Sequence, residues 1–454
     1  MLGQVLNARN YAGAVVRDQQ IEFQIQSPTR ALYRVKEVIT VLDKKAEKML
    51  DLSISHDSFH RLRRVSGTLH DENGRKIRDL KKSEFDERSG YPGFVLFAET
   101  RVTSTDLYSS RFLVTVEYAY EIEYRDAFFP PWWCPVQGTG VTVQSASYTV
   151  IPGGGISIRK MAFNTDLPDY VEHNLNDDNA NKWYIKNYRA VKRETYMPPI
   201  HHWIPYAFVA FNDFNYGGYR GNMSSWKNFG LWISELNKGR QTLPNETIKM
   251  VREIVKDIDD PLEKAPIIYE YVQGKTRYVA IILGIGGFQP AETTQVDRVG
   301  YGECKALSNY TISLLKAVGV EAFYTLIWSG FGIQTKLEFP SDQLNHIIVC
   351  VPHQGDTLWL ETTTIRFSAG HVGPGNSNRY VLLVKPEGGE MVKTPAFNRT
   401  NSFIKREIVA SLDAKGALTV KLETKSTGSN YDDAIEVFLN GPHARRSTTF
   451  NIWE

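Results

Sequence analysis

The chain has 454 residues, which at roughly 150 residues per domain implies about three domains. Lysine and arginine number 53 against 51 acidic residues, a formal charge of +2 that is too balanced to mark a nucleic-acid or anionic-membrane binder. With 42% hydrophobic and 23% charged residues the chain is neither disordered nor collagen-like, and its three cysteines cannot build a disulfide framework. The 12% aromatic content favours strands. No apolar run reaches the ~18 residues of a membrane helix. Residues 1–7 lack the basic start and apolar stretch of a signal peptide, which leaves a cytosolic protein or one whose leader has been removed.

Residues 1–235 read as β-rich, and a large β-sandwich is expected there. In Val114–Tyr124 the even positions are apolar or aromatic, while Glu117, Glu121 and Glu123 point the other way, the period of a strand buried on one face. Asn73-Gly74 lies between strand-like runs at 65–69 and 76–80 and suits a hairpin turn, because both residues tolerate positive φ. Pro130-Pro131-Trp132-Trp133-Cys134-Pro135 must be a loop, and a strand pair is expected across 141–151. Near Leu243 the period changes. Asn245 is placed to cap a helix with Ile248, Val251, Ile254, Val255 and Ile258 on one face. Asp260-Pro261 offers a cap and a first-turn proline for a second helix towards Gly274, which kinks or starts at Pro266. A third begins near Cys304, with Leu307, Thr311, Leu314, Leu315 and Val318 on one side and Gly319 as its stop. Strand-like runs at 321–328, 345–351 and 357–362 follow, so residues 236–397 read as an α+β domain. A short β module occupies 398–454, with strands at 405–412 and 418–427.

Three residues stand out for their chemistry: Cys304, His346 and Glu361. Cys304 lies where Gly300-Tyr301-Gly302-Glu303-Cys304-Lys305 enters a helix, and a thiol at a helix N-terminus beside a lysine is placed to become thiolate. A histidine in reach would exchange its proton. A four-residue turn Pro352–Gly355 sets a register in which paired numbers sum to 707, which puts His346 directly opposite Glu361 on one sheet face. The carboxylate then orients the imidazole and stabilises its cation. A slip by one residue would separate them onto opposite faces.

The segments Tyr269-Glu270-Tyr271-Val272-Gln273, Thr276-Arg277-Tyr278-Val279, Leu283-Gly284-Ile285-Gly286-Gly287-Phe288-Gln289-Pro290 and Gly300-Tyr301-Gly302-Glu303-Cys304-Lys305-Ala306-Leu307-Ser308, with Asn345-His346 and Trp359-Leu360-Glu361, resemble the transglutaminase-like core. More specifically, the chain is similar to bacterial proteins, common in Bacteroidetes, in which a β-rich domain of unknown function precedes that core and a longer C-terminal β module follows it. The resemblance implies a multidomain α+β protein with a papain/transglutaminase-like centre, Cys304 as nucleophile, His346 as base and Glu361 as the orienting acid. Glu361 stands where Asp is commoner, Glu303 where Asp is common before the cysteine, and Phe288 where Trp is frequent. Gln289, fifteen residues upstream of the cysteine, has a side-chain amide that either helps an oxyanion, as in papain-like folds, or anchors its loop.

Other signals are weaker. Gly284-Ile285-Gly286-Gly287 lacks the lysine and helix of a phosphate loop. His201-His202 comes with no CxxC, HExxH or acidic cluster, and no metal or cofactor is expected. Cys350 and Cys134 read as packed. Trp132 and Trp133 are able to stack on sugars if exposed. The expected activity is acyl transfer on peptide or amide bonds, with a peptide, protein or cell-wall peptide as substrate. Hydrolysis is preferred over cross-linking by analogy with bacterial relatives. The resemblance points to the periplasm or cell surface. The competing reading is a binding protein without catalysis, whose β domains engage a glycan or a protein partner.

Overall fold

The computed structural model describes residues 11–90, 95–125, 130–153, 155–175, 181–282, 284–330, 332 and 334–440. The chain divides into two units: residues 1–232 with 280–288 and 338–342, and residues 233–279 with 289–337 and 343–454.

The first unit is built on an eight-stranded sheet. Its strands lie in the order Glu172–Asn174, Lys182–Tyr188, Val141–Ile151, Ala14–Ser27, Arg30–Val41, Val114–Tyr124, His60–His70 and Lys76–Asp79. Val114–Tyr124 has the alternation read from its sequence, with Val114, Val116, Tyr118, Ile122 and Tyr124 buried. Residues 141–151 form one strand, not a pair, and it runs parallel to Ala14–Ser27. That parallel pairing joins segments more than a hundred residues apart and leaves no local trace. The Asn73-Gly74 turn is present, but as the middle of a longer loop. Asp71 Oδ1 accepts from the Asn73 and Arg75 N–H groups, and Gly74 takes φ +75°. The remaining strands of the unit fall into two- and three-stranded sheets, so its strands are not split between two sheets of comparable size.

One face of the large sheet packs on a core that includes Phe23, Ile39, Tyr148, Trp183 and the fully buried Trp133. The other face is polar and holds an open groove of about 920 Å³, across which Arg34 bridges Glu22 (2.5 Å) and Glu121 (2.8 Å). The Pro-Trp segment is a loop, as expected. Trp133 exchanges two backbone hydrogen bonds with Ala207, whereas Trp132 is half exposed and packs edge-on against Tyr206 and Phe208.

In the second unit the helices come first. Helix Asn245–Ile254 begins one residue earlier than expected: Asn245 is its first residue, and Pro244 holds the capping place. Helix Pro261–Lys275 follows the sequence signals: Asp260 accepts the Leu262 N–H, Pro261 opens the first turn, and the helix passes through Pro266. Helix Cys304–Ala317 ends where Gly319 takes φ +79°, a backbone state that costs glycine least. An antiparallel five-stranded sheet follows, in the order Asp356–Leu360, His346–His353, Phe323–Ile327, Tyr380–Lys385 and Gly388–Lys393. Its last two strands were absent from the sequence reading. The helix Cys304–Ala317 crosses this sheet and is buried on all sides from Lys305 to Leu315, not along one stripe. An exposed hairpin, Ile404–Leu412 with Leu418–Ser426, and the helix Ser429–Asn440 complete the unit. Among the described residues no helix is long and apolar enough to cross a membrane.

Candidate active site

The hairpin bearing His346 and Glu361 closes two residues away from the expected turn. Gln354 and Gly355 both take positive φ (46° and 89°), the signature of a two-residue primed turn, which matches the twist of paired strands. Cys350 therefore pairs with Trp359, not with Thr357, and Glu361 follows the last strand residue, Leu360. His346 and Glu361 are diagonal neighbours instead of direct partners. A shift of two residues preserves the face, because side chains alternate with period two. The long glutamate spans the diagonal, and His346 Nε2 meets Glu361 Oε2 at 2.8 Å. The extra methylene relative to aspartate is what this geometry uses.

Glu361 is buried and held on every side. Oε2 also accepts from Asn376 Nδ2 (2.8 Å), while Oε1 accepts from the Thr363 N–H (3.0 Å) and hydroxyl (2.6 Å). Its carbonyl accepts from Tyr269 on helix Pro261–Lys275 (2.6 Å). Burial acts to raise the carboxyl, but the His346 charge and the Thr363 bonds outweigh it and hold it below its ordinary range. Burial likewise acts to lower His346. The Glu361 charge, together with hydrogen bonds to Cys304 and Glu361, carries the imidazole up to about 10 instead. Nε2 serves the carboxylate, and Cys304 is among the groups that raise the ring.

Cys304 is the first residue of its helix and is partly exposed. Glu303 caps that helix by accepting from the Lys305 N–H (2.7 Å) and the Ala306 N–H (3.0 Å). Gly302 is buried, and a Cβ there would lie 2.9 Å from that of Ala306, so the chain needs glycine to enter the helix. One turn further on, buried Ser308 ties the helix to both sheet residues. Its hydroxyl lies 3.0 Å from Thr362 Oγ1 and 3.4 Å from the Ile347 carbonyl, the neighbours of Glu361 and His346. Tyr278 pairs through its backbone with Gly302, and its phenol is pushed up to about 12 by burial, with Cys304 and Glu303 adding to the shift. It stays protonated at neutral pH.

Gln289 donates to the Leu236 carbonyl (3.1 Å), the loop-anchoring role and not one aimed at an oxyanion. Phe288 packs edge-on against Tyr216 at 5.4 Å. Cys350 is core, with Ile327, Trp359 and Val381 around it, and burial pushes its thiol up to about 12. Cys134 is pushed up to about 11 for the same reason. His201 and His202 face each other at 4.6 Å, and no group of three or more His, Cys, Asp or Glu able to hold a metal exists among the described residues.

Asn376 and Thr363 escaped the sequence reading. Thr363 had a signal, since a threonine two residues after an acid often returns a hydrogen bond. Asn376 had none, because it reaches Glu361 from a loop that only the fold brings near. Replacing Asn376 with Leu removes a donor that steadies Glu361. The expected result is a kcat lower by about tenfold with KM unchanged, as for a residue acting through the acid. A fall in Tm with unchanged kcat per folded molecule would reduce Asn376 to a packing role.

Residues 28–192 match the model of a domain of unknown function with a solved structure, DUF3857. No curated protein gives a significant match to the chain. Among solved structures, a candidate protease from Parabacteroides distasonis ATCC 8503 aligns over 93% of this chain and 96% of its own, at 11% identity and a TM-score of 0.59. At that identity the likeness establishes a shared multidomain α+β fold and nothing about chemistry. A candidate cysteine protease from Cytophaga hutchinsonii aligns over 87% of this chain and 90% of its own at 10% identity, with a TM-score of 0.22 that carries no argument.

Proposed function

We propose that the chain is a thiol enzyme of the transglutaminase-like class that transfers acyl groups from peptide or amide bonds, in the manner of a peptidase or amidase. The observation that carries this reading is the 2.8 Å bond from the His346 imidazole to a buried, multiply held Glu361, on a ring that Cys304 also helps to raise. In the proposed reaction the Cys304 proton already rests on His346 Nδ1, the imidazole being raised to about 10, and the sulfur attacks the carbonyl as thiolate. The Cys304 backbone N–H, at the open start of the helix, faces the developing oxyanion. His346 returns the proton to the leaving amine, an acyl-enzyme forms, and water releases the acid by the reverse proton path. An amine acceptor in place of water would make the same site cross-link. The name given to the Parabacteroides distasonis protein is in keeping with the hydrolytic branch.

A binding protein that had abandoned catalysis would have no need for a carboxylate with four donors aimed at it. The deciding experiment is acid-quenched mass spectrometry after mixing with an activated p-nitrophenyl ester. An acyl adduct on the peptide containing Cys304, discharged faster by water than by added primary amine, is expected. Absence of that adduct while Cys304 remains free would leave the binding-protein reading standing.

A further inference from the structure

Cys304 is flanked by residues of opposite charge, and both are buried: Glu303 at 5% exposure and Lys305 at 6%. One carboxylate oxygen, Glu303 Oε2, takes three donors. They are the Lys305 N–H at 2.7 Å, the Lys305 ammonium at 2.6 Å and the Cys304 thiol at 3.5 Å. The other oxygen serves the Ala306 N–H. An N-cap needs only an acceptor, and a neutral Ser, Asn or Gln-type oxygen supplies one without burying charge. A full carboxylate touching the sulfur opposes thiolate formation, since two anions at that distance repel strongly where water is scarce. Such an arrangement is workable only when a cation sits on the same oxygen. Lys305 sits there, with both its own N–H and its ammonium on Glu303 Oε2.

We propose that Glu303 and Lys305 act as a charge-balanced positioning pair for Cys304. Glu303 fixes the helix start and accepts the hydrogen of the thiol form, while Lys305 neutralises the oxygen facing the sulfur and so favours the form in which that proton rests on His346. When the proton moves there, the S–H bond breaks, an N–H bond forms at His346 Nδ1, and the S–H···Oε2 hydrogen bond is given up. Oε2 keeps its ammonium, so no unpaired carboxylate confronts the thiolate. The pair touches no substrate and acts only through the sulfur. This rests on Cys304 being the nucleophile.

The test is peptide-resolved iodoacetamide alkylation of the full-length chain at pH 7, which needs no acyl substrate and forms no oxyanion. Lys305→Met leaves the carboxylate unneutralised, and Cys304 is expected to alkylate about tenfold more slowly. Glu303→Gln keeps a capping oxygen but leaves the ammonium alone beside the sulfur, and alkylation is expected to rise about threefold or more. The double variant should return to within about twofold of wild type, a non-additivity that marks direct coupling. Thermal melts of all four proteins separate folding losses from reactivity. Single variants that lower Tm but shift alkylation in the same direction, or not at all, would reduce the pair to a helix cap and overturn the proposal. A wild-type Cys304 no more reactive than a cysteine in a free peptide would instead remove the nucleophile itself, a failure distinguishable because it appears before any variant is made.

Discussion

Cys304→Ala is expected to lose acyl transfer by more than about a thousandfold, on any peptide, amide or activated ester the wild-type chain turns over, while Tm stays unchanged. The size follows from the role. Without the sulfur there is no covalent intermediate, and what survives is only the polarisation of a bound carbonyl. The small effect on stability follows from position. Residue 304 opens its helix, where alanine is well tolerated, and its side chain is partly exposed, so truncation leaves no closed cavity. The helix is held by Glu303 at its start and by Ser308 a turn later, and neither bond passes through the sulfur. Cys350→Ala is the informative control. That thiol is packed against Trp359 and Ile327, so its loss costs stability while the rate per folded molecule is retained. Activity in Cys304→Ala above about a tenth of wild type would end the nucleophile assignment.

Which parts of this site could be read from residues alone depended on whether the signal was local. Asp260-Pro261 specified a helix start by side-chain and ring geometry, and Gly302 and Gly319 marked the entrance and exit of the Cys304 helix. These are contacts between residues a few positions apart. The pairing of His346 with Glu361 survived for a different reason. The turn was placed two residues off, at Pro352–Gly355 instead of Gln354-Gly355, yet an even displacement leaves every side chain on its own face. An odd one would have put His346 and Glu361 on opposite faces. Elements fixed by long-range contacts were missed. Nothing in 141–151 announces a parallel partner at Ala14–Ser27. The Cys304 helix looks amphipathic because Asn309 and Ser313 are polar, yet both are buried and bonded: Asn309 to the Arg240 carbonyl and Ser313 to its own helix. The sequence shows a polar stripe in each case, and only packing tells solvent from a buried partner. The Lys305 side chain misled in the same way. Read as a nearby positive charge, it is a buried one folded onto Glu303, and Glu303 was noted only as a departure from aspartate.

Glu361→Gln carries the second large effect, and its signature is in pH as well as rate. Both carboxylate oxygens are supplied with donors, Oε2 by His346 and Asn376, Oε1 by Thr363. A glutamine must turn its NH2 towards one of these sets, and the Thr363 side is the lesser conflict because that hydroxyl can rotate. The amide oxygen then still orients the ring, but the charge that stabilises the imidazolium is gone. A kcat at least about a hundredfold lower is expected. The stability consequence has a definite sign. His346 is raised from an ordinary 6.5 to about 10, chiefly by the Glu361 charge against the opposing effect of burial. A group raised in the folded state contributes stability that is fully present below its unfolded value and fades as pH climbs through the folded one. Glu361, held low, contributes above its ordinary 4.5 and loses that contribution as pH falls through its depressed folded value. The Tm advantage of wild type over Glu361→Gln should therefore be greatest between about pH 4.5 and 6.5, and shrink steadily towards pH 10. Calorimetric melts of the two proteins from pH 4 to 10.5 read this directly. A difference that stays constant from pH 6.5 to 10 would mean that the imidazole is neutral in the resting protein, and the proposed ion pair would have to be replaced by a neutral hydrogen bond.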